Sequence, residues 1–309
     1  MSPNKLRVVH ALAESFSRKE TKSAPISDFY KVPYDQFKSF PDLISYLQKF
    51  YGATNLPGEK HWNLALRVFE ENSIHEIEMI AITDSSYPKY LRKIDNPPPV
   101  LYIRGNRSIF LDLPGVSVVG TREVSENGKI ITKRISQHLA ERGWVIVSGL
   151  ARGVDAIAHE ACLDVKGKTI AVLANGLDEP QPKQNSALGY RILESGGAWV
   201  SEHPVGTAIE KHYFVQRNRI QLGLSAGSVI IEAAVKSGTM TQAQYCVKQN
   251  RPLFAVVPET PENVLRLNSE GTLEMVKSLG AIPIKSRNDY LSMNSLLEEQ
   301  RSMMHSLPS

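Results

Sequence analysis

The sequence predicts an α/β protein: a doubly wound, mainly parallel, Rossmann-like sheet with a small N-terminal helical domain. Three observations predict it. Short apolar runs rich in β-branched residues recur between residues 116 and 257. Segments of helical length separate most of them. The positions directly after the runs hold Gly, Ser, Thr, Asn and Arg, the residue types of ligand-binding loops. Near-continuous apolar runs suit strands covered on both faces, and strands alternating with helices favour parallel pairing with right-handed crossovers.

In chain order, the first 80 or so residues read as helical. Residues 42–51 (DLISYLQKFY) and 62–69 (WNLALRVF) carry apolar side chains at helical spacing, and residues 54–58, with Pro57, break the two. A proline-rich passage, Tyr87-Pro88 and then Asn96-Pro97-Pro98-Pro99, cannot continue a helix. The predicted strands are 116–119 (VSVV), 144–147 (WVIV), 169–173 (TIAVL), 198–201 (AWVS), 228–231 (SVII) and 253–257 (LFAVV). Predicted helices lie at 127–142, 152–164, 186–194 and 241–249. After Pro258 a helix at 274–279, a strand at 281–284 and a helix at 288–304 follow. The expected organisation is an N-terminal helical segment (1–80), a Rossmann-like core (81–285) and a C-terminal helical tail (286–309).

Composition acts by exclusion. The 309 residues are 42% hydrophobic and 22% charged, ordinary for a globular protein. No apolar run approaches the ~18 residues needed to span a bilayer, and MSPNKLRVVHALAESFSRKE lacks the apolar centre of a secretory signal. No membrane association and a cytoplasmic location are therefore expected. Cys162 and Cys246 form no CxxC pair, so neither a disulfide framework nor a cysteine-rich metal site is expected. The formal charge is only +4, but residues 101–257 hold 18 Lys/Arg against 13 Asp/Glu. That local excess suits a polyanionic partner and equally an ordinary solvated surface.

Ligands of open parallel sheets bind beyond the carboxyl ends of the strands. The five loops there carry Gly120-Thr121-Arg122; Ser148-Gly149 with Arg152-Gly153; Asn175-Gly176 with Lys183 and Asn185; Arg217-Asn218-Arg219; and Ser237-Gly238-Thr239. Glycines let backbone N–H groups approach an anion, helix N-termini add donors, and Arg suits bidentate phosphate contact. These seventeen residues are the candidate phosphate-binding set. The loops lack GxGxxG, GxxxxGK[ST] and HExxH, so no nicotinamide, flavin, P-loop nucleotide or metal cofactor is expected. His159, His203 and His212 have no evident nucleophile partner and read as structural. Asp155 and Glu232 are conceivable catalytic carboxylates, although Asp155, near a helix start, reads better as a cap or dipole partner.

The same segments, in the same order, resemble the DprA/Smf family. Val118-Val119-Gly120-Thr121-Arg122 is similar to its first strand and loop. Residues 148–155 with Ala158-His159 match its SGLARGxDxxAH signature. Residues 171–178 resemble its AVLGCGLD element, residues 214–224 its FPxRNRIIxGLS element, and Glu232-Ala233 with Ser237-Gly238-Thr239 its EAxxxSGSxxTA element. The resemblance implies single-stranded DNA binding in a basic pocket, a homodimer, protection of single strands and loading of a RecA-type recombinase, without catalysis. It places Arg122 and Lys183 at strand-contacting positions and Arg217 and Arg219 along or beneath the pocket.

Departures accompany the match. Ser186 stands where the family has a bulky or basic residue, residues 259–270 replace its SxGxN element, and no glycine-rich helix-hairpin-helix pattern precedes the core. The tail leaves no room for the winged-helix domain of many members. The competing reading is a nucleotide sensor or a phosphoribohydrolase on the same core. Hydrolases resembling LOG proteins carry PGGxGTxxE, and Gln242 here takes the acidic position, which weakens the enzyme reading.

Overall fold

The structure is a computed structural model that describes residues 2–18, 26–52, 56–111 and 113–306, with side chains 26–28 left aside. Three N-terminal helices, α1 (Pro3–Arg18), α2 (Phe40–Tyr51) and α3 (Glu59–Ile74), come first. The expected break between the last two falls partly on Thr54 and Asn55, which lie outside the described residues. Ser39 caps α2 by accepting from the Asp42 amide at 3.3 Å, and Pro41 fits the first turn, where its missing N–H costs nothing.

The core begins with β1 (Glu78–Ala81), α4 (Lys89–Arg92), β2 (Val100–Gly105) and α5 (Ser108–Leu111). Strands and helices then alternate: β3 (Gly115–Val119), α6 (Glu126–Ala140), β4 (Ile146–Ser148), α7 (Val154–Asp164), β5 (Thr169–Val172), α8 (Ser186–Glu194) and β6 (Ala198–Ser201). The remainder is α9 (Lys211–Gly223), β7 (Ser225–Ile230), α10 (Gly238–Lys248), β8 (Leu253–Val256), α11 (Glu270–Leu279), β9 (Ile282–Ile284) and α12 (Asp289–His305). Among the described residues nine strands form one sheet in the order β1-β2-β6-β5-β4-β3-β7-β8-β9. Every pairing from β6 to β9 is parallel, while β1–β2 and β2–β6 are antiparallel.

The mainly parallel, doubly wound sheet thus matches the expected class. Besides the one-turn helices α4 and α5, three elements that matter for the site escaped the sequence reading. The two antiparallel strands flank a proline-rich passage that hides their pattern. Within β2, Leu101 and Ile103 join the hydrophobic cluster on one sheet face, and Val100 and Tyr102 join the cluster shared with α1–α3, which is the period-2 alternation of a strand. The third is α9. Its sequence, KHYFVQRNRIQLG, has no apolar stripe because its buried residues include Arg217, Asn218, Arg219 and Gln221. Periodicity reports an apolar face, and this helix buries a polar one.

The chain winds outward from β3 through β4 and β5 to β6, then returns along α9 to β7 and continues the other way. β3 and β7 are neighbours whose outgoing connections diverge, which opens a crevice beyond their carboxyl ends. α9 lies against β3, β5, β7 and α10 beside that crevice.

Candidate functional site

A cavity of about 330 Å³ occupies the crevice. The loop after β3 supplies Gly120, Thr121, Arg122 and Glu123; the start of α10 supplies Ser237, Gly238 and Thr239; α9 supplies Phe214, Arg217, Asn218 and Gln221. Positions 214, 217, 218 and 221 share one helical face, so α9 forms a wall. The first turn of α10 brings free amides and the positive end of its dipole to the same space.

The loop bearing Arg122 is clamped from both sides. The Thr121 amide donates to the Glu232 carbonyl at 2.8 Å, and the Val154 amide donates to the Thr121 carbonyl at 3.2 Å. Gly153 has a φ of 80°, and a Cβ there would run into the Thr121 and Arg122 carbonyls, so only glycine lets α7 approach this loop so closely. The buried Glu232 carboxylate accepts from the Ser125 amide (2.9 Å), the Ser125 hydroxyl (2.6 Å) and the Asn268 amide (2.9 Å). Ser125 in turn caps α6 through the Gly128 amide at 3.0 Å. Glu232 therefore ties the loop to the sheet. Arg122 itself is exposed, with its guanidinium 5.1 Å from the centre of the Phe214 ring, and among the described residues it has no ion-pair partner.

The arginines of α9 are differently placed. Arg217 is buried; its Nη1 donates to the Gly149 carbonyl at 2.8 Å and to the Val172 carbonyl, and its Nη2 is 3.9 Å from Asp155. Asp155 also accepts from the amides of Gly149 (3.1 Å) and Ala151 (3.4 Å). Burial raises the Asp155 carboxyl pKa, with Arg217 and these amides pulling it back. Burial lowers the pKa of Arg217; Asp155 opposes that and Arg122 adds to it, so two guanidinium groups share one electrostatic neighbourhood at the cavity. A Cβ on Gly149 would overlap the Arg217 guanidinium, which explains the glycine. Arg219 points elsewhere, into a two-pronged ion pair with Glu202 at 2.6 Å for each nitrogen, and its Nε donates to the Asn96 carbonyl at 2.8 Å.

Of the expected seventeen, Gly120, Thr121, Arg122, Arg217, Asn218, Ser237, Gly238 and Thr239 come together around the cavity. Arg152, Gly153, Asn175, Gly176, Lys183 and Asn185 occupy the adjoining loops after β4 and β5. Arg152 and Lys183 are exposed there, and the Asn185 side chain ties the two loops by donating to the Leu150 carbonyl at 2.8 Å. Asn175 donates to the Gly176 and Glu179 carbonyls and holds its own turn. Ser148, Gly149 and Arg219 do not line the cavity. The Ser148 hydroxyl is buried and donates to the Val118 carbonyl at 2.7 Å, so this serine shapes the framework beneath the edge.

The histidines have local roles. Thr169 donates its hydroxyl proton to the Ile146 carbonyl (2.7 Å), so His159 Nδ1, 2.6 Å from the same oxygen, must donate to it. Burial and then the Arg217 charge push the His159 pKa down to about 3. Burial also lowers the pKa of His203, whose ring centre lies 4.1 Å from that of Tyr213. His212 Nδ1 lies 3.3 Å from Glu210. Among the described residues no group of three or more His, Cys, Asp or Glu is arranged to hold a metal ion, and no helix is long and apolar enough to cross a membrane. Sequence reasoning missed Phe214, Gln221 and the inward role of Gln242, all of which line the cavity. For Phe214 and Gln221 the signal was the i, i+3, i+4, i+7 spacing from Phe214, legible only once residues 211–223 are read as a helix.

Residues 78–295 match the family model of DNA recombination-mediator protein A. The Smf protein of Synechocystis sp. is 40% identical over 229 residues, covering 70% of this chain and 57% of that protein. The DNA processing protein DprA of Bacillus subtilis is 34% identical, covering 69% of this chain and 70% of its own. The chain thus spans little more than half the length of the Synechocystis relative. Among solved structures, DNA processing protein A from Helicobacter pylori, described there in its single-stranded DNA binding mode, has a TM-score of 0.63 and 30% identity, covering 72% of this chain and 97% of its own. DprA from Streptococcus pneumoniae has a TM-score of 0.66 and 26% identity, covering 94% and 98%.

Proposed function

Because the chain belongs to the DNA recombination-mediator protein A family, we propose that it binds single-stranded DNA along the carboxyl edge of its sheet, as a DNA-processing protein acting in recombination. The observation that carries this reading is the Arg122 cavity. A cation without a carboxylate partner among the described residues stands beside the first turn of α10 at the topological switch point. Arg152 and Lys183 extend positive charge along the next two loops, over about 10 Å at ~4.8 Å per strand. Two carboxylates line the cavity: Asp155 lies 3.9 Å from Arg217, and Glu123 is the one that this charge has to outweigh. Such an edge follows a phosphate backbone without reading sequence, because amides and guanidinium groups contact the element common to all nucleotides.

A binding role also accounts for the acidic residues. Asp155 and Glu232 are occupied by amides and hydroxyls, and Gln242 is bonded to Ser117 and Ser228. On this reading the strand-coated protein works as a homodimer in the cytoplasm, shields single strands and hands them to a RecA-type recombinase. Fluorescence-anisotropy titration of labelled oligonucleotides tests the core of it. Single strands bind better than duplex, affinity falls steeply with salt, and Arg122→Ala or Lys183→Ala weakens all sequences alike while lowering the salt slope by about one. Equal affinity for duplex, or wild-type binding in both variants, refutes the strand-binding edge.

A further inference from the structure

The N-terminal helices carry an aromatic cluster that the core does not account for. Phe37, Tyr46 and Phe50 form a ladder across α2, with ring centres 5.1 Å apart from Phe37 to Tyr46 and 4.4 Å from Tyr46 to Phe50. Positions 46 and 50 are one turn apart, so their rings meet on one face of the helix. Phe37 and Tyr46 lean on the buried cluster, whereas Phe50 projects from it, 60% exposed. Lys49 Nζ stands 5.8 Å from the Phe50 ring centre. A lone exposed apolar residue needs no explanation, but a run of rings ending in solvent beside a cation marks a binding surface. The nearby carboxylates are engaged, Asp35 with Arg7 and Asp42 with the Ser39 hydroxyl at 2.7 Å. Lys31 and Lys49 are exposed and have no ion-pair partner among the described residues, so the charge on offer suits a polyanion.

The cluster stands at the far end of the edge that carries Arg122, Arg152 and Lys183. β1 is antiparallel to β2, and β2 to β6, so β1 points the same way as β6 and its carboxyl end joins that edge. Arg7 lies 3.6 Å from Asp84, just past β1, and 3.2 Å from Asp35, just before Phe37. Another ring at this corner, Tyr30, is 40% exposed and has the Arg92 guanidinium 5.5 Å from its centre. Arg92 in turn donates to the Asp84 carbonyl at 2.6 Å. From β5, whose loop bears Lys183, to β1 is three strands, about 14 Å at ~4.8 Å per strand. We propose that Tyr30, Tyr46 and Phe50 form a stacking platform for a single strand that continues past Lys183. Bases stack on the rings, and Lys31 and Lys49 meet the phosphates between them. This inference rests on the strand-binding reading of the edge and adds a separate contact to it. Every base has a π-face, so the platform is as indifferent to sequence as the edge. A duplex keeps its bases stacked on one another and would have to unstack them, so the platform favours single strands.

Anisotropy titrations of the full chain with oligothymidylates of about 6 and about 20 nucleotides separate the two contacts, since compact single-strand modules occupy roughly 4–16. Phe50→Ala weakens the longer oligomer roughly fivefold or more and leaves the shorter one unchanged. Thermal melting verifies that the variant, altered at an exposed position, is folded. Phe50→Trp binds like wild type and Phe50→Leu does not, which separates stacking from apolar bulk. An oligomer of abasic residues binds wild type and Phe50→Ala alike. Lys49→Gln lowers the salt slope for the longer oligomer by about 0.7. Photocrosslinking of a longer oligomer that contains iodouracil captures the peptide bearing Tyr46 and Phe50. A folded Phe50→Ala that binds the longer oligomer like wild type, or crosslinks confined to the core, overturns the platform. The two readings fail separately. Arg122-dependent binding of both lengths that ignores Phe50 removes the platform alone. Phe50-dependent binding that ignores Arg122 and Lys183 removes the edge alone, and absence of strand binding at either length removes both.

Discussion

Two arginine-bearing regions meet at the crevice and use their charge in opposite ways. On the loop after β3, Arg122 is exposed, rests on the Phe214 ring and has no ion-pair partner among the described residues. In α9, Arg217 and Arg219 are buried, and their nitrogens are committed to the Gly149, Val172 and Asn96 carbonyls and to Glu202. The first charge is available to a ligand. The other two hold the loops that present it. Position beside a glycine loop therefore does not make an arginine a phosphate ligand; what its nitrogens already touch decides that.

The largest expected effect breaks this contrast or establishes it. Arg219→Ala leaves Glu202 facing the protein without its partner, and loss of one half of a buried pair costs about 3–5 kcal/mol. Arg122→Ala, at an exposed position, changes stability by no more than about 0.5 kcal/mol. Urea denaturation of the two variants measures both, and equal costs would dissolve the distinction between framework and ligand-facing arginines. Next in size is Gly149→Ala. Its Cβ collides with the Arg217 guanidinium, and overpacking of this kind costs about 1–3 kcal/mol. A fully stable Gly149→Ala protein would mean that Arg217 is not held where its hydrogen bonds put it.

Committing charge to the interior has a consequence for pH. His159, with its pKa pushed down to about 3 by burial and then Arg217, stays neutral in the fold, whereas the unfolded chain takes up a proton near pH 6.5. Between those values the unfolded state binds more protons, so stability falls as pH falls. The contribution is complete above about pH 6.5 and shrinks by roughly 1.4 kcal/mol for each pH unit below it. Denaturation at pH 7 and pH 5.5 should show wild type losing about that much relative to His159→Gln. An unchanged difference between the two proteins would show that His159 is protonated in the folded state.

The sheet was legible in the sequence because buried parallel strands are apolar without interruption, as in residues 169–173 and 253–257. The loops were legible because Gly153 and Gly149 stand where backbone or a guanidinium packs too closely for a Cβ. What periodicity could not show was α9, whose buried face is Arg217, Asn218 and Gln221 rather than leucine and valine. Without that helix, lining and buttressing roles for Arg217 and Arg219 could not be told apart, and Phe214 and Gln221 had no cavity to face. β1 and β2 were obscured for a different reason, since four- and six-residue strands beside Pro97-Pro98-Pro99 leave too short a pattern to separate from a loop.

The smallest effect probes how the available charge is held. Among the described residues Arg122 has no carboxylate to orient it, so the Phe214 ring 5.1 Å away is the group that keeps its guanidinium over the cavity. A cation–π contact at an exposed site is worth about 0.5–1 kcal/mol. Phe214→Leu keeps an apolar side chain in the wall but removes the ring's negative face, so single-strand affinity should fall roughly two- to fivefold. Phe214→Tyr preserves that face and should bind like wild type. The decisive measurement is the double-mutant cycle. If Phe214 acts by positioning Arg122, Phe214→Leu costs nothing further once Arg122 is alanine, and the coupling energy equals the single-mutant effect. Additive losses would mean that the ring contacts the ligand directly, and that Arg122 is held in place by its own clamped loop.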